Sequence, residues 1–311
     1  MKFRTGLFQA RGQIAFIVGL AVASALAVSL DRAQGKPVLL VVAPPKGVVE
    51  VWKSTPSPVA RPLSDDERRE ALIAWQYFRN NTQKSGMVNS VDKYPSTTMW
   101  DTGSALLATM SAERLGIITR SELDGRLATM LGSLARMQLF TGVLPNKSYD
   151  TTSMLMVDYA NKPAPDGIGW SAVDLARLVL ALRTVAWQYP EQTEAVRQVL
   201  RRWDTRPMLR DGLLYGARRK NGKVDQVQEG RLGYEEYAAR ALMLDGRDAS
   251  AALAFASELK YETVDGVRVP TDRRTSRDRG AFNYVVSEPY ILTGLELGWD
   301  YSSRQFAYSV Y

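Results

Sequence analysis

The feature that most constrains the fold of this chain is a helix opening that recurs four times, each with an aromatic residue beside or near a carboxylate. The openings read MWDTGSALLAT, GWSAVDLARLVLAL, GYEEYAARALML and SEPYILTGLEL, and their aromatic residues are Trp100, Trp170, Tyr234 and Tyr290. These residues follow one another at intervals of 70, 64 and 56 residues. A second helical pattern follows each of the first three, which predicts a repeating helical hairpin with a long return loop.

Repeated hairpins bury their shared apolar face only by stacking on their neighbours. The long loops, and the polar and aromatic residues at one end of each inner helix, favour a closed (α/α) toroid with one functional mouth over an open solenoid. The predicted fold class is therefore all-α, with an irregular α domain as the alternative. The repeat helices are predicted at 101–115, 120–140, 171–188, 191–204, 233–245, 248–259 and 288–300.

Local signals mark where these helices begin and end. Ser64 and Glu67, in SDDERRE, form a predicted capping box that starts the folded region and the helix carrying ALIAWQYFRNN. Glycines 116, 246 and 298 lie at or near predicted C-terminal ends, where a left-handed residue is useful.

The N-terminal part of the chain differs in composition from the rest. Three basic residues precede an uncharged run over 12–30, which is near the lower limit of about 17–25 residues for a spanning helix. Residues 1–30 are therefore predicted to be a signal anchor in the inner membrane or a cleaved signal peptide. The basic residues would place the folded domain, 64–311, in the periplasm or outside the cell. Between them, 31–62 contains six prolines and is predicted to be a tether.

Two residue types are missing altogether. The chain contains no cysteine and no histidine, which excludes a Ser-His-Asp triad, a His-zinc site and a thiol nucleophile within it. We therefore predict no metal site and no cofactor. Acid–base chemistry must then use Asp, Glu, Tyr, Lys or Arg, and glycoside chemistry is the large reaction class that needs two carboxyl groups alone. The net charge is +7, but no arginine-rich block interleaved with aromatics indicates a nucleic-acid module.

Four segments carry a family resemblance: YPSTTMWDTGSALLATMSAERLGII, GWSAVDLARLVLAL, QEGRLGYEEYAA and VSEPYILTGLELGWD. They resemble a bacterial family known as domain of unknown function 3131, over about residues 64–311. That family is similar to glucoamylase-like (α/α)6 toroids, which include endo-β-1,2-glucanases and a domain of cyclic β-glucan synthases. The resemblance implies a glycan-directed toroid.

The chain is short for such a ring. Six hairpins of about 60 residues would need roughly 360 residues, whereas 64–311 has 248. The last predicted helix, 288–300, has no outer helix after it in the sequence pattern. The predicted toroid can therefore be incomplete at its C-terminal end.

Three carboxylates are the candidate catalytic residues. Asp101 follows Trp100 at a helix start and is either a helix-dipole residue or a general base. Glu229 comes too early to cap the helix that follows it, so it is a candidate general acid or substrate ligand. Glu288 precedes Pro289 and is either a cap or the partner carboxylate.

The candidate substrate-binding residues come from the same openings and the loops before them. Asp174 and Glu236 also have structural alternatives, an ion pair with Arg177 and a favourable first-turn position respectively. Aromatic residues at helix starts can be core residues instead of sugar platforms. The predicted set is Trp100, Trp170, Asp174, Tyr215, Arg231, Tyr234, Glu236 and Tyr290.

Together these patterns predict a periplasmic or surface glycoside hydrolase acting on a β-glucan or an exopolysaccharide. The expected mechanism is inverting, with Glu229 as acid and Asp101 as base across a gap of about 6.5–9.5 Å. One alternative is a non-catalytic polysaccharide-binding or assembly subunit, anchored beside exopolysaccharide export machinery. Another is a polysaccharide lyase that uses Tyr and Arg.

Overall fold

The computed structural model describes residues 61–275 and 285–310, which form two compact units. Unit 1 comprises residues 62–170 and 177–205, and unit 2 comprises 171–176 with the described residues from 206 onward. The predicted anchor and the tether up to residue 60 lie outside the described residues. Among the described helices, none combines the length and the apolar character needed to cross a bilayer.

Unit 1 is built mainly from helices. They are α1 (Asp65–Asn81), α2 (Met99–Arg114), α3 (Arg120–Arg136), the greater part of α4 (Ala172–Gln188) and α5 (Thr193–Leu200). Helix α2 packs against α1 and α3, and α3 packs against α5. The first turn of α4 belongs to unit 2. Helices α2 and α3 correspond to the first two predicted repeat helices, 101–115 and 120–140, and they form the expected consecutive, packed pair.

Helix α1 begins at the predicted capping box. The Ser64 hydroxyl accepts a hydrogen bond from the Glu67 backbone N–H at 3.3 Å, and the Ser64 N–H donates to the Glu67 carboxylate at 2.8 Å. The acidic first turn adds a favourable interaction with the helix dipole. The capping prediction is confirmed, and so are the helix ends at glycines 116, 246 and 298, which have φ values of 66°, 80° and 100°.

Helix α2 is an inner helix, with twelve of its sixteen residues buried. Gly103 lets the backbone of α4 approach closely. A Cβ atom at Gly103 would lie 3.2 Å from the Arg177 carbonyl group and 3.2 Å from the Leu178 Cα. Both neighbours are backbone atoms, so they cannot move aside without shifting a helix.

We expect Gly103→Ala to destabilise the protein by roughly 1–3 kcal/mol, because a methyl group would overpack this contact. The matched control is Gly125→Ala in α3, where nothing lies within 4 Å of the position that the added methyl group would occupy. That exposed change should stabilise the protein by about 0.5–1 kcal/mol through helix propensity. Urea unfolding would measure both changes, and a stabilised Gly103→Ala variant would contradict the packing argument.

Short strands interrupt the loops of unit 1. β1 (Ser96–Thr98) pairs antiparallel with β4 (Ser148–Asp150), and β2 (Leu139–Phe140) pairs antiparallel with β3 (Leu144–Pro145). The region 141–170 lies between the predicted helices 120–140 and 171–188 and was expected to be one of the long return loops. These pairings give its backbone groups partners and connect it to the start of α2.

Unit 2 contains more β structure. β5 (Leu209–Arg210), β6 (Leu213–Lys220) and β7 (Lys223–Gln228) form a three-stranded antiparallel sheet, and β8 (Leu259–Val264) pairs antiparallel with β9 (Val267–Asp272). The two long hairpins turn at Asn-Gly and Asp-Gly pairs whose residues all have positive φ, as type I′ hairpin turns require.

The helices of unit 2 are α6 (Tyr234–Leu244), α7 (Glu288–Leu292) and α8 (Tyr301–Val310), with a π-helical segment at Thr293–Leu297. Helix α8 packs against β9 and α7. The buried apolar cluster that joins these elements consists of Leu232, Phe255, Leu259, Tyr290, Phe306 and Ala307.

A ladder of three polar contacts connects α6 to the C-terminal segment. Its residues on α6 are three apart, so they lie near one face of the helix. The rungs join Tyr234 to Glu288, Tyr237 to Glu296 and Arg240 to Asp300.

These elements correct part of the predicted fold. All four repeated openings are confirmed as helix starts, but the strands of both units show that the chain is not strictly all-α. The predicted helix 248–259 is replaced by two 3-10 turns, Ser250–Leu253 and Phe255–Ser257. The predicted helix 288–300 is divided, and α8 follows it, so the last opening does have a helical successor. The toroid stays a prediction.

Candidate functional site

Five residues predicted from the sequence are grouped in unit 2, where the starts of α4, α6 and α7 carry polar side chains. All five side chains are partly or fully exposed. We call this group the helix-start cluster, and it consists of Asp174, Glu229, Arg231, Tyr234 and Glu288.

Glu229 caps a helix that lies 57 residues earlier in the sequence. Its Oε2 atom accepts hydrogen bonds from the N–H groups of Ala172, at 2.5 Å, and Val173, at 3.3 Å. Its own N–H donates to the Leu214 carbonyl at 2.9 Å, which fixes the backbone beside β6. Both contacts of Oε2 come from donors at the positive end of α4. This arrangement suits a carboxylate that holds α4 in place better than a carboxylic acid that gives up a proton.

Tyr234 connects two other members of the cluster. Its hydroxyl donates a 2.7 Å hydrogen bond to Glu288 Oε2. Burial, and then the charge of Glu288 and this hydrogen bond, raise the pKa of Tyr234 well above its ordinary value, and the charge of Asp174 adds to the increase while Arg231 opposes it. The phenol is therefore a hydrogen-bond donor at neutral pH, and it orients Glu288.

Asp174 lies in the first turn of α4, the turn that Glu229 caps. Its N–H donates to the Ser171 hydroxyl at 3.2 Å. Its charge helps to raise the pKa of Tyr234, after the larger effects of burial and of Glu288. Within the described residues, no three Asp or Glu side chains are grouped as metal ligands.

Behind the cluster, a buried ion group fixes the segment that carries Glu229. Arg274 contacts Glu235 Oε2 at 2.6 Å and Asp272 Oδ2 at 2.8 Å. Glu235 also accepts from the Gln228 side-chain amide at 2.7 Å, and Asp272 accepts from the Leu232 N–H at 2.8 Å. The two carboxylates thus attach both ends of segment 228–232 to one arginine.

The sequence analysis missed Asp272 and Arg274. Burial alone would lower the pKa of Arg274, but its hydrogen bonds to Asp272 and the charge of Glu235 raise it above the ordinary value. A Cβ atom at Gly230 would lie 1.9 Å from Arg274 Nη1. Gly230 therefore leaves the space that this guanidinium occupies. No local sequence pattern reveals that a glycine is required at this position.

Glu236 was predicted to bind substrate, but it lies in the interior, 8% exposed. Its Oε2 accepts from the Gly233 N–H, and its buried Oε1 has no hydrogen-bond partner. Burial, and then the charge of Glu235, raise the pKa of Glu236 to about 8. The carboxyl group lines a small pocket with Arg240 and Ser302. Glu236 is thus an internal carboxyl group outside the helix-start cluster.

Asp101 and Trp100 lie in unit 1. Asp101 Oδ2 accepts from the hydroxyls of Ser90, at 2.5 Å, and Thr98, at 2.6 Å, while Thr98 caps α2 through the Asp101 N–H. The guanidinium of buried Arg177 lies 4.7 Å from the centre of the Trp100 ring. Asp101 is thus a carboxylate held in place at the start of α2.

The predicted sugar platforms divide into two kinds. Trp170 is 3% exposed and packs edge-on against Phe140, and Tyr290 is 6% exposed and packs edge-on against Phe306. These two rings are therefore packed in the core and do not present an open aromatic face. Tyr215 is only partly buried and lies under the guanidinium of Arg210, 4.4 Å from its ring centre.

Comparison with known proteins gives a family and distant structural likenesses. The model of a family described as "Protein of unknown function (DUF3131)" matches residues 69–311. No curated protein matches the chain significantly. A candidate glucoamylase from Bacteroides uniformis shares 14% identity with a TM-score of 0.49, over 81% of this chain and 65% of that chain.

Two further solved structures are similar to the chain. A candidate glucoamylase from Bacteroides caccae shares 14% identity with a TM-score of 0.43, over 62% of this chain and 52% of that chain. An α-amylase from Clostridium perfringens shares 11% identity with a TM-score of 0.43, over 78% of this chain and 69% of that chain. The chain spans between half and two-thirds of the length of the two glucoamylase structures, and TM-scores below 0.5 do not define its fold.

Proposed function

Since the chain belongs to the DUF3131 family, whose description names no reaction, we propose its function from the helix-start cluster: hydrolysis of glycosidic bonds in a polysaccharide. The observation that carries the proposal is the contact between Tyr234 and Glu288, with Asp174 acting on the same phenol. The neutral Tyr234 hydroxyl thus donates to one partly exposed carboxylate, Glu288, and the charge of a second, Asp174, also acts on the phenol. Two carboxyl groups are sufficient for glycoside hydrolysis and need neither histidine nor cysteine.

We assign direct roles to Glu288 and Asp174. One protonated carboxyl group gives its proton to the leaving glycosidic oxygen as the bond from that oxygen to the anomeric carbon breaks. The other, ionised, takes a proton from the water molecule whose oxygen bonds to that carbon. Tyr234 orients Glu288 in this scheme, and Glu229 acts as a positioning residue because its Oε2 is used by α4. Asp101 as the base remains the competing assignment.

The raised pKa of Tyr234 bears on the lyase alternative. A lyase base must accept the proton from the carbon next to a sugar carboxylate, and an ionised tyrosine is a candidate for that role. Tyr234 holds its proton more firmly than an ordinary tyrosine. This favours hydrolysis over elimination by Tyr234.

We further propose that the folded part works in the periplasm or at the cell surface on a β-glucan or an exopolysaccharide. The uncharged run 12–30 behind basic residues supports export, either with retention in the inner membrane beside exopolysaccharide machinery or with secretion after cleavage. Digestion of the C-terminally tagged chain by protease added to spheroplasts would support this location, and complete protection would overturn it.

The catalytic prediction concerns Glu288→Gln, which keeps the size of the side chain and removes its acid–base function. We expect kcat to fall by about 10²–10⁴-fold, measured as new reducing ends from a panel of β-glucans and exopolysaccharides. Tyr234→Phe should have a smaller effect because it removes only the orienting hydroxyl. The matched control is Glu262→Gln on β8, an exposed carboxylate, which should keep full activity.

The same assay decides between the competing assignments. Loss of activity in Asp174→Asn but not in Asp101→Asn would support Asp174 and Glu288 as the catalytic pair. The reverse result would support Asp101, the base predicted from the sequence. Full activity in Glu288→Gln would overturn the proposal. Binding of a glycan by the wild-type protein without new reducing ends would favour the polysaccharide-binding subunit instead. The anomer released first, followed by NMR, tests the expected inversion.

A further inference from the structure

The hairpin formed by β6 and β7, together with β5, is strongly basic. Residues 209–228, which contain the three strands, include five Lys or Arg and only two Asp or Glu, a net charge of +3 out of +7 for the whole chain. One of the acidic residues, Asp225, is 3.8 Å from Arg218 and offsets one of the charges locally. The hairpin therefore presents unbalanced positive charge to solvent.

The strand register divides these residues between two faces. Residues directly opposite each other in an antiparallel pair point to the same side of the sheet. On one face lie the pairs Tyr215–Gln228, Ala217–Gln226 and Arg219–Val224; on the other lie Arg218–Asp225 and Lys220–Lys223.

The first face combines an aromatic ring with planar polar groups. Arg210 lies over the Tyr215 ring, 4.4 Å from its centre, and donates a 2.6 Å hydrogen bond to the Gln226 side-chain oxygen. Arg210 and Gln226 are exposed, and Tyr215 and Arg219 are partly buried. We call these four residues the Arg210 face. A guanidinium that is pre-positioned by a ring and an amide is well suited to pair with a carboxylate.

The Arg210 face also leads towards the helix-start cluster. Strand β7 ends at Gln228, and the next residue is Glu229. At about 3.3 Å per residue, the face extends roughly 13 Å from Val224 to Gln228. A chain lying along it would approach the cluster at one end.

We propose that the Arg210 face binds an anionic polysaccharide, one that carries carboxylate groups, and directs it to the helix-start cluster. The inference rests on the proposed function for the second step but not for the binding. Charge complementarity selects an anionic polymer over a neutral one. A single aromatic ring, already covered on one side by Arg210, is not the row of stacking platforms that a single-stranded nucleic acid would use.

The test compares binding of a polyuronate and a neutral β-glucan of similar length by calorimetry, using the full chain. We expect the polyuronate to bind more tightly and its affinity to fall as NaCl rises from about 50 to about 300 mM. Arg210→Gln with Arg219→Gln should weaken polyuronate binding by roughly tenfold or more, because charge-assisted contacts are lost. The matched control, Arg218→Gln with Lys220→Gln, removes the same charge from the opposite face and should weaken binding by less than about threefold.

Three results would overturn the inference: equal weakening by the two double variants, equal or tighter binding of the neutral glucan, or tighter binding of single-stranded DNA than of the polyuronate. Circular dichroism melting confirms that both double variants are folded. Polyuronate binding without cleavage of any glycan in the panel would contradict the proposed function and leave the binding step of this inference standing. Cleavage of a neutral glucan without polyuronate binding would do the opposite.

Discussion

Arg274→Ala is expected to lower the free energy of unfolding by about 3–5 kcal/mol, because it leaves two buried carboxylates without their counter-charge. Arg274 is 7% exposed, and its partners Glu235 and Asp272 are each 3% exposed. Those carboxylates also fix the segment that carries Glu229, so the loss should extend to the helix-start cluster. Urea unfolding followed by circular dichroism measures the change.

The control for this prediction is Lys260→Ala on β8. Lys260 contacts Glu262 at 3.2 Å, but both side chains are about half exposed, and such pairs contribute about 0–1 kcal/mol. Adding Glu235→Gln and Asp272→Asn to Arg274→Ala should recover part of the lost stability, since it removes the unpaired charges. An Arg274→Ala variant as stable as Lys260→Ala would show that the ion group does not hold the segment.

The second large effect is a change in how stability depends on pH. Burial and the charge of Glu235 raise the pKa of Glu236 from 4.5 to about 8 in the folded chain. The folded state therefore keeps this proton at pH values where the unfolded state has lost it. The stability contribution is complete below about pH 4.5 and is lost as pH rises through about 8, a loss of about 5 kcal/mol.

Glu236→Gln should flatten this part of the pH profile. An amide resembles the protonated carboxyl group, so the variant and the wild type should be similar near pH 4, and the variant should be the more stable at pH 9. Denaturant unfolding at a series of pH values measures the difference. The exposed Glu262→Gln serves as control and should follow the wild-type profile. A variant that loses stability between pH 5 and 9 as steeply as the wild type would rule out Glu236 as the group responsible.

Local patterns were sufficient to predict several elements of the fold. The capping box at Ser64 and the four helix openings depend on neighbours within a few residues, so the sequence contains the whole signal. The Asn-Gly and Asp-Gly pairs at 221–222 and 265–266 were equally local. Such pairs are typical of hairpin turns, but the stretches that contain them were interpreted as loops, and no hairpin was predicted there.

Tertiary contacts explain the helix that was predicted but did not form. Residues 248–259 are rich in alanine and have high helix propensity. In the structure, the Ala252 N–H donates to the Gly212 carbonyl at 3.0 Å, and a Cβ atom at Gly212 would lie 2.9 Å from the Ala251 Cβ. Contact with a distant glycine therefore replaces helical hydrogen bonds, and nothing in the local sequence indicates it.

The candidate site shows the same difference between local signals, which could be predicted, and tertiary contacts, which could not. Glu229 was recognised because it could not cap its own helix, but its actual partner is the start of α4, which is distant in sequence. Arg274 and Glu235 are separated by 39 residues, so their pairing has no periodic signature. Trp170 and Tyr290 carried the same aromatic signal as Trp100, and only burial separates a core ring from an accessible one.

The ladder between α6 and the C-terminal segment has a consequence for biosynthesis. The two residues of each contact are 54, 59 and 60 positions apart in the sequence for the three contacts in turn. At a translation rate of about 5–20 residues per second, α6 would wait roughly 3–12 s after synthesis before its partners exist. During that interval the nascent chain exposes the apolar side of α6. The polar groups of Tyr234, Tyr237 and Arg240 lack the C-terminal residues to which they later bond. Unit 2 is therefore expected to complete its folding only after the ribosome has passed residue 300, and this waiting period is when a chaperone would matter most.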